Sequence, residues 1–523
     1  MKKRVRGLFL CFILLICIVP LGTSINPDRT VLEAPANPGF PSDFTEEPGT
    51  LSGYVTDVAA HPIEGALVRV YFHETYRENY SDATGYYHVT DIPLCYCVKN
   101  ATCTKEGYHP TWVLLSITEN TAHDFVLIER GTRLSVGGSG PGNYSRIQDA
   151  INDASEGDTV FVYDDSSPYP ENLIVDKTII LQGENKTTTI IDGGAVTILI
   201  LADRVVISGF TIMNSEWLYD THRAGISILS NHTMIDDIII THVWQGIECG
   251  WFNRSVEGVD LYHNTLDFVK GQGISVRYTT NASILGNSIN NTMGSAIDLW
   301  NVSLAALDYN SIQNISEGHG IALWMAHDCS VFKNTIEQGA MQGISMTETA
   351  NIDIAANTIS SMKEIGISSE GPATIIGNVI DACVEYGILA TGDNYTIVQN
   401  TISNSSTAIF LSEGRWCSIL SNIITHNENG LILVGISESR VRDNSFMDNK
   451  NDANFSALFF RSVSMFTCRG TRFEANYWGS GRLLPKVIPG FLYLTRDGQD
   501  FTRIPFFKLD LHPRQEPITP GRT

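Results

Sequence analysis

Asparagine recurs at a nearly constant interval through the second half of this chain. Successive members of the series lie 21 to 24 residues apart, with an apolar residue two places after each member and another three places before it. The series consists of Asn264, Asn287, Asn310, Asn334, Asn357, Asn378, Asn400, Asn422 and Asn444. A fixed period of this size indicates a solenoid, in which each repeat forms one coil stacked on the next.

The length of the repeat selects the type of solenoid. Helical repeats of about 33–47 residues need room for two helices, and leucine-rich repeats need a Leu-x-x-Leu-x-Leu pattern, which is absent here. About 22 residues with short apolar alternations fit one coil of a parallel β-helix. Inward residues should then stack about 4.8 Å apart. The asparagine side chains should form a hydrogen-bonded ladder at a corner, where Asn tolerates left-handed backbone angles.

The first residues have the pattern of an export signal. Basic residues from Lys2 to Arg6 precede an apolar run from Leu8 to Val19, which is too short for a comfortable membrane span. We predict a signal peptide over residues 1–24 and a Pro-rich linker over 25–48. The expected protein is extracellular or held at the cell surface, with no transmembrane segment.

The charge balance narrows the possible partners. With 35 basic and 57 acidic residues the net charge is −22, which argues against a nucleic-acid partner. Asn-x-Ser/Thr sequons such as Asn79 and Asn143 are frequent, which is compatible with a glycoprotein.

The cysteines fall into two groups. Cys95, Cys97 and Cys103 are clustered, so one disulfide with one thiol left over is expected in an exported protein. A metal site from these three is the weaker interpretation, because no His or fourth Cys lies at ligand spacing. The positions of Cys249, Cys329 and Cys417 in the repeat predict core residues. Each of the three falls on an inward or otherwise apolar column.

Residues 49–130 lack the 22-residue repeat and have a different sequence pattern. Period-2 apolar runs bounded by Gly, Pro and Asp predict the strands of a small β-sandwich. The turn from Pro62 to Ala66 and the Asp82-x-x-Gly85-x-Tyr87 hairpin resemble the carboxypeptidase regulatory-like (transthyretin-like) domain. The resemblance implies a non-catalytic spacer or adhesive module.

Residues 131–480 open with a predicted helical cap. The segment from Ser145 to Gln148 has the pattern of a capping box, and Ile147, Ala150 and Ile151 share one face of a short helix that should end at Gly157. A helix at this place would cover the open end of the first coil.

The two ends of this region resemble known β-helix families. The Gly-Asp-Thr-Val segment from Gly157 and the Ile-Asp-Gly-Gly segment from Ile191 are similar to the opening of pectin-lyase-like right-handed β-helices. The Asn-Tyr-Trp-Gly segment from Asn476 is similar to the end of NosD-like β-helix proteins. We therefore expect an all-β chain built on a right-handed parallel β-helix of about 22-residue coils. Residues 481–523, rich in Pro and aromatic residues, should form a C-terminal capping tail.

One strand of each coil carries the candidate binding residues. It usually opens with Gly, and the residues two and four places later are expected to point outward. The candidate ligand-binding residues on this face are Arg277, Asp298, Trp300 and Trp324, with Trp251 and Tyr278 just beyond. Exposed aromatic rings beside acids suit a saccharide, so we expect polysaccharide or glycoprotein glycans as partners. The alternative is that the Trp pair is packed under a loop or under the C-terminal tail.

An enzyme is the first alternative function. Glu248 and Asp298 should lie two coils apart, roughly 9–10 Å, near the upper end for an inverting glycosidase pair. His319, in a Gly-His-Gly triplet, resembles a polygalacturonase motif, but the Asp pair of that family is replaced here by Met293-Gly294. The catalytic candidates of a hydrolase or lyase would be Glu248, Asp298 and His319.

The main expectation is a non-catalytic glycan-binding protein or envelope scaffold. A NosD-like copper accessory role is the second alternative. No Met, His or Cys cluster at ligand spacing supports that role, so neither a metal site nor a cofactor is expected.

Overall fold

The computed structural model describes ten stretches of the chain. These are residues 48–72, 75–94, 98–117, 120–194, 196–214, 224–251, 254–460, 470–480, 484–495 and 501–518. The predicted signal peptide and all but the last residue of the predicted linker lie outside the described residues. Within these stretches there is no helix with the length and hydropathy of a membrane span.

The N-terminal part of the described chain forms two four-stranded sheets around one core. Alternation of buried and exposed residues along Gly49–Asp57 places Leu51 and Val55 in this core. The first sheet contains Gly49–Asp57, Tyr86–Ile92, Asn120–Ala122 and Phe125–Leu127. The second contains Leu67–Phe72, Thr75–Tyr80, Val98–Thr104 and Thr111–Ser116.

The rest of the chain is a parallel β-helix, as the repeat predicts, with three stacks of strands. The front sheet contains Leu173–Val175, Ile198–Ile200, Ala224–Ile228, Gln245–Cys249, Ile274–Arg277, Ile297–Trp300, Ile321–Trp324, Ile344–Thr347, Ile365–Glu370, Tyr386–Thr391, Thr407–Ser412, Asn429–Val434, Asn451–Phe460 and Lys486–Thr495.

The second sheet of the β-helix contains Arg133–Val136, Thr159–Val162, Ile180–Gly183, Val206–Ser208, Thr233–Asp236, Val256–Tyr262, Thr279–Leu285, Ala306–Asp308, His327–Phe332, Ala350–Ala355, Ala373–Ile376, Thr396–Val398, Ser418–Leu420, Arg440–Arg442, Arg472–Glu474 and Phe501–Asp510. The third sheet contains Ile190–Asp192, Thr211–Met213, Ile239–Val243, Thr265–Val269, Ser288–Thr292, Ser311–Ile315, Thr335–Gly339, Thr358–Ser360, Val379–Asp381, Thr401–Ser403, Ile423–Thr425, Ser445–Met447 and Tyr477–Trp478.

The sandwich packs on the second sheet. Trp112 lies against Tyr262, with the ring centroids 4.7 Å apart, and Tyr262 is fully buried there. The Tyr262 hydroxyl donates to the Asp260 carboxylate at 2.8 Å. This contact is on a different face from the front sheet.

The predicted asparagine ladder is present. The Asn310 side-chain amide donates to the side-chain oxygen Oδ1 of Asn334 at 2.9 Å, and Asn334 donates in the same way to Oδ1 of Asn357 at 3.0 Å. The expectation that the ladder residues themselves adopt left-handed angles is wrong. The residue before each of them does so, for example Tyr309 (φ 57°) and Lys333 (φ 51°). The corner turns at that residue, which leaves the asparagine side chain free to point inward.

Removing one rung should destabilise the β-helix. Asn334→Leu would leave the buried carbonyl of Leu307 and the buried backbone N–H of Asn310 without their partners. An unpaired buried group costs about 1–3 kcal/mol, so the midpoint of a thermal or urea melt should fall. Asn454→Leu, at a half-exposed strand position, should change stability by less than about 0.5 kcal/mol. Equal melts for the two variants would refute the structural role of the ladder.

The capping helix spans Ile147–Asp153, and its predicted boundaries need correction. Arg146 is the N-cap residue and its side chain makes no capping hydrogen bond, so Ser145 does not form a capping box. The carboxylate of Glu171, 24 residues after Ile147, accepts from the backbone N–H of Ile147 at 2.8 Å and of Gln148 at 3.1 Å. A carboxylate is a stronger partner for a helix N-terminus than a hydroxyl. The helix ends at Asp153, before Gly157.

The C-terminal segment completes the other end. Strands Lys486–Thr495 and Phe501–Asp510 form an antiparallel hairpin that also pairs with the last coils. The Asp510 carboxylate is fully buried and accepts from the Asn476 backbone N–H at 2.9 Å and from the Trp478 indole N–H at 3.1 Å. The asparagine ladder therefore ends on an aspartate.

The three β-helix cysteines predicted to be core residues are buried. Cys249, Cys329 and Cys417 are buried in the main hydrophobic cluster, and Cys383 joins them. Cys103 is a buried free thiol inside the sandwich, whereas the other two residues of the predicted disulfide group, Cys95 and Cys97, lie outside the described residues.

Candidate functional site

The middle coils of the front sheet present three columns of side chains away from the core. Each column is aligned by the parallel register, in which Arg277 pairs with Trp300 and Trp300 with Trp324. The first column, called the aromatic column after its two tryptophans, consists of Arg277, Trp300 and Trp324. The central column consists of Glu248, Ser275, Asp298, Ala322 and Ser345, and the amide column of Gln245, Gln272, Ser295, His319 and Gln342.

The aromatic column is accessible to solvent. Trp300 is 38% exposed and Trp324 is 45% exposed, on adjacent strands about 4.8 Å apart. The Arg277 guanidinium lies 5.9 Å from the centre of the Trp300 ring, and its Nε donates to the Ser275 hydroxyl at 3.2 Å. The arginine is thus held beside the rings with part of its hydrogen-bonding capacity already used.

Asp298 lies in the centre of this face. It is half-buried between Ser275 and Ala322 of the adjacent coils. Burial raises the pKa of the Asp298 carboxyl above its ordinary value, and the positive charge of Arg277 opposes that shift. Within the described residues this carboxyl makes no hydrogen bond, and its side chain is only partly exposed.

Glu248 does not have the predicted exposure. It is two strands from Asp298, as expected from the repeat, but it is only 4% exposed. The rest of the central column is buried as well, since Ser275, Ala322 and Ser345 are at most 7% exposed and only Asp298 is partly exposed. The alternation of apolar and polar residues along a strand predicts which side chains face the core. It does not predict whether other parts of the protein cover the side chains on the opposite side. The expected pair of accessible carboxylates is therefore not formed.

Trp251 and Tyr278 follow the front strands at their ends. Trp251 is 42% exposed and pairs with Arg254 in an isolated bridge. Tyr278 is half-buried in a left-handed turn (φ 50°), and its N–H donates to the Trp300 carbonyl at 3.0 Å. Tyr278 thus borders the aromatic column, whereas Trp251 belongs to an earlier coil beside Glu248.

His319 lies in the amide column. Its backbone N–H donates to the Ser295 hydroxyl at 3.2 Å, and burial lowers the pKa of its imidazole, which favours the neutral ring. His319 Nδ1 is buried and has no hydrogen-bond partner among the described residues, and the same is true of Gln342 Oε1. Two polar atoms therefore remain unsatisfied at the edge of the central column.

A strip of glycines borders the amide column and was not singled out from the sequence. It consists of Gly271, Gly294 and Gly318 on three successive coils. A Cβ on Gly294 would come within 2.9 Å of the Gly271 backbone, and one on Gly318 within 2.2 Å of the Ser295 nitrogen. The sequence contains the pattern that predicts this strip, since each of the three glycines immediately precedes a residue of the amide column. The strip leaves this edge of the face without side chains.

Comparison with known proteins gives one family match. Residues 293–480 match the model of the family described as periplasmic copper-binding protein (NosD). This stretch includes Asp298, Trp300, His319 and Trp324, whereas Arg277 precedes it. No curated protein matches the chain.

Solved structures with a similar fold include the catalytic domain of a GH87 alpha-1,3-glucanase variant in complex with tetrasaccharides. It is 12% identical, covers 83% of this chain and 86% of its own, and has a TM-score of 0.42. The mannuronan C-5 epimerase AlgE6 A-module of Azotobacter vinelandii is 12% identical, covers 64% and 89%, and has a TM-score of 0.36.

A double mutant of the periplasmic alginate epimerase AlgG is also similar. It is 13% identical, covers 63% of this chain and 80% of its own, and has a TM-score of 0.38. The strand topology itself makes this an all-β protein built on a parallel β-helix, and residues 293–480 of it match the NosD family model.

Proposed function

We propose that this protein is exported and binds a saccharide chain on its front sheet without cleaving it. The observation that carries the proposal is the exposed pair Trp300 and Trp324 on adjacent strands, with Asp298 and Arg277 beside them. Adjacent exposed rings form a contiguous apolar patch, and such patches often mark interaction sites.

The chemistry of the face suits a sugar. An indole ring offers a flat apolar surface to the C–H face of a pyranose. The free Asp298 carboxyl can accept hydrogen bonds from hydroxyl groups, and the Arg277 guanidinium can donate to ring or acidic oxygens. The glycine strip has no side chains that project from one side of the face, so an extended saccharide chain has room to cross it there.

A glycosidase mechanism has less support. An inverting pair needs two carboxyl groups with room for a water between them. Asp298 is accessible, but Glu248 is buried, so the second group is not presented to a ligand. His319 has a neutral imidazole at the edge of the face and lacks a carboxylate partner within the described residues.

A copper accessory role, suggested by the name of the matched family, has no supporting ligand set in the described residues. They contain no group of three or more His, Cys, Asp or Glu side chains placed to hold a metal. Cys329, Cys383 and Cys417 are buried in the core, and burial raises the pKa of each thiol, which disfavours the thiolate that binds copper.

A glycan array on the purified mature chain, analysed for both bound and released sugar, tests the proposal. We expect binding with no released product, and a several-fold loss of affinity in Asp298→Asn, because the amide accepts fewer hydrogen bonds than the carboxylate. Asp353→Asn, at an exposed position of the second sheet, is the matched control and should bind as wild type. Release of sugar that disappears in Asp298→Asn while binding persists would establish the enzyme alternative.

A further inference from the structure

Two arginines lie directly opposite each other on the second sheet. Arg440 and Arg472 are register partners on adjacent parallel strands, and both side chains are exposed. The strand spacing brings their backbones to about 4.8 Å. Like charges in this position repel, and their juxtaposition is unfavourable unless something compensates it.

The arginine pair has no carboxylate in direct contact among the described residues. Neither Arg440 nor Arg472 forms an ion pair within the described residues, although the chain carries a net charge of −22. The neighbouring Arg442 is different, since its Nε lies 2.9 Å from the Asp443 carboxylate. The charge without a contacting carboxylate is therefore confined to one column of the sheet.

The arginine pair lines a concave site. A cavity of about 410 Å³ is bounded by Arg440, Arg472, Trp416 and Glu438. Trp416 is 58% exposed at the corner that precedes the strand Ser418–Leu420. An aromatic surface and two guanidinium groups thus border the same space.

Glu438 adds a hydrogen-bond acceptor at the same corner. Its carboxylate lies over Gly470, where a Cβ would come within 2.2 Å of it, so the glycine makes room for the acid. It forms no ion pair with either arginine within the described residues, although it borders the same cavity and offsets part of their positive charge.

We infer that this second-sheet site, formed by Arg440, Arg472, Trp416 and Glu438, binds an acidic saccharide. The guanidinium pair would hold the carboxylate or sulfate of one sugar unit, Trp416 would lie against the ring, and the Glu438 carboxylate would accept a hydrogen bond from a sugar hydroxyl. Paired guanidinium groups bind planar or tetrahedral oxyanions with directed N–H donors. The site is separate from the front sheet and does not depend on the function proposed for that face.

The test is calorimetric titration of the mature chain carrying Trp300→Ala and Trp324→Ala, so that the front face does not contribute. The probes are an oligogalacturonate, a sulfated oligosaccharide of similar length, a neutral oligosaccharide and inorganic sulfate. We expect binding of one or both acidic oligosaccharides, weakened at least tenfold by 0.5 M salt because exposed charge interactions are screened. The preferred probe shows whether the acid group is a carboxylate or a sulfate.

The site variants are Arg440→Gln with Arg472→Gln, and Trp416→Ala, each with a thermal melt to confirm folding. The double arginine variant should lose at least tenfold in affinity, and Trp416→Ala should lose several-fold. Arg442→Gln is the matched control, because its charge is already paired, and should bind nearly as before. The inference is overturned by unchanged binding in the double arginine variant, by equal affinity for the neutral probe, or by inorganic sulfate binding as tightly as the oligosaccharides.

Discussion

Replacing both Trp300 and Trp324 with alanine is expected to abolish saccharide binding by the front face without changing the thermal melt. The rings are 38% and 45% exposed and neither belongs to the hydrophobic core. Each single change should weaken binding by on the order of 1 kcal/mol, the scale of a ring contact. The double change removes both apolar surfaces and leaves only exposed polar groups, which compete poorly with water.

Equilibrium binding of the glycan selected on the array would measure this effect. Trp416→Ala is the matched control, since it removes an indole that is 58% exposed at the corner before the second-sheet strand Ser418–Leu420. It should leave the binding of a neutral saccharide unchanged. Full binding by the Trp300/Trp324 double variant would mean that the pair serves only packing, which was the alternative suggested by the sequence.

Asp510→Leu is expected to give the largest loss of stability. The buried carboxylate accepts from the backbone N–H groups of Ala475 and Asn476 and from the side-chain N–H groups of Asn476 and Trp478, at 2.9–3.2 Å. Leucine would leave these donors buried without a partner. At about 1–3 kcal/mol for each unpaired group, and allowing for non-additivity, the total should be roughly 3–6 kcal/mol.

Urea unfolding followed by circular dichroism would measure this loss. Asp510→Asn retains one oxygen and should cost less than the leucine variant. Asp353→Leu, at an exposed strand position, should leave the midpoint almost unchanged. An unaltered midpoint for Asp510→Leu would contradict the proposed role of this residue in closing the β-helix.

The repeat made the fold predictable because each coil uses the same residue types at the same places. Ile247, Ile274 and Ile297 are fully buried register partners, and their spacing in the sequence already indicated this. The helix cap was not predictable in the same way. Its N-terminus is held by Glu171, 24 residues from Ile147, and no local pattern indicates such a partner.

The candidate site was only partly predictable. Period-2 alternation placed Trp300 and Trp324 correctly outside, but it could not show that Glu248 is covered. The alignment of the arginine pair could not be predicted from the sequence for another reason. The step from Asn444 to Asn476 is 32 residues, so the last coil departs from the usual spacing and the alignment of Arg440 with Arg472 is not visible in the repeat.

The aspartate at the end of the ladder has a consequence for assembly. Each asparagine both accepts from the coil before it and donates to the coil after it, so a ladder of asparagines could in principle continue into another molecule. A carboxylate accepts hydrogen bonds but has no N–H to pass on, and the hairpin of Lys486–Thr495 and Phe501–Asp510 occupies the strand positions beyond the last coils. The ladder therefore cannot pass from this end into another molecule, which favours a rod of fixed length over a growing fibre.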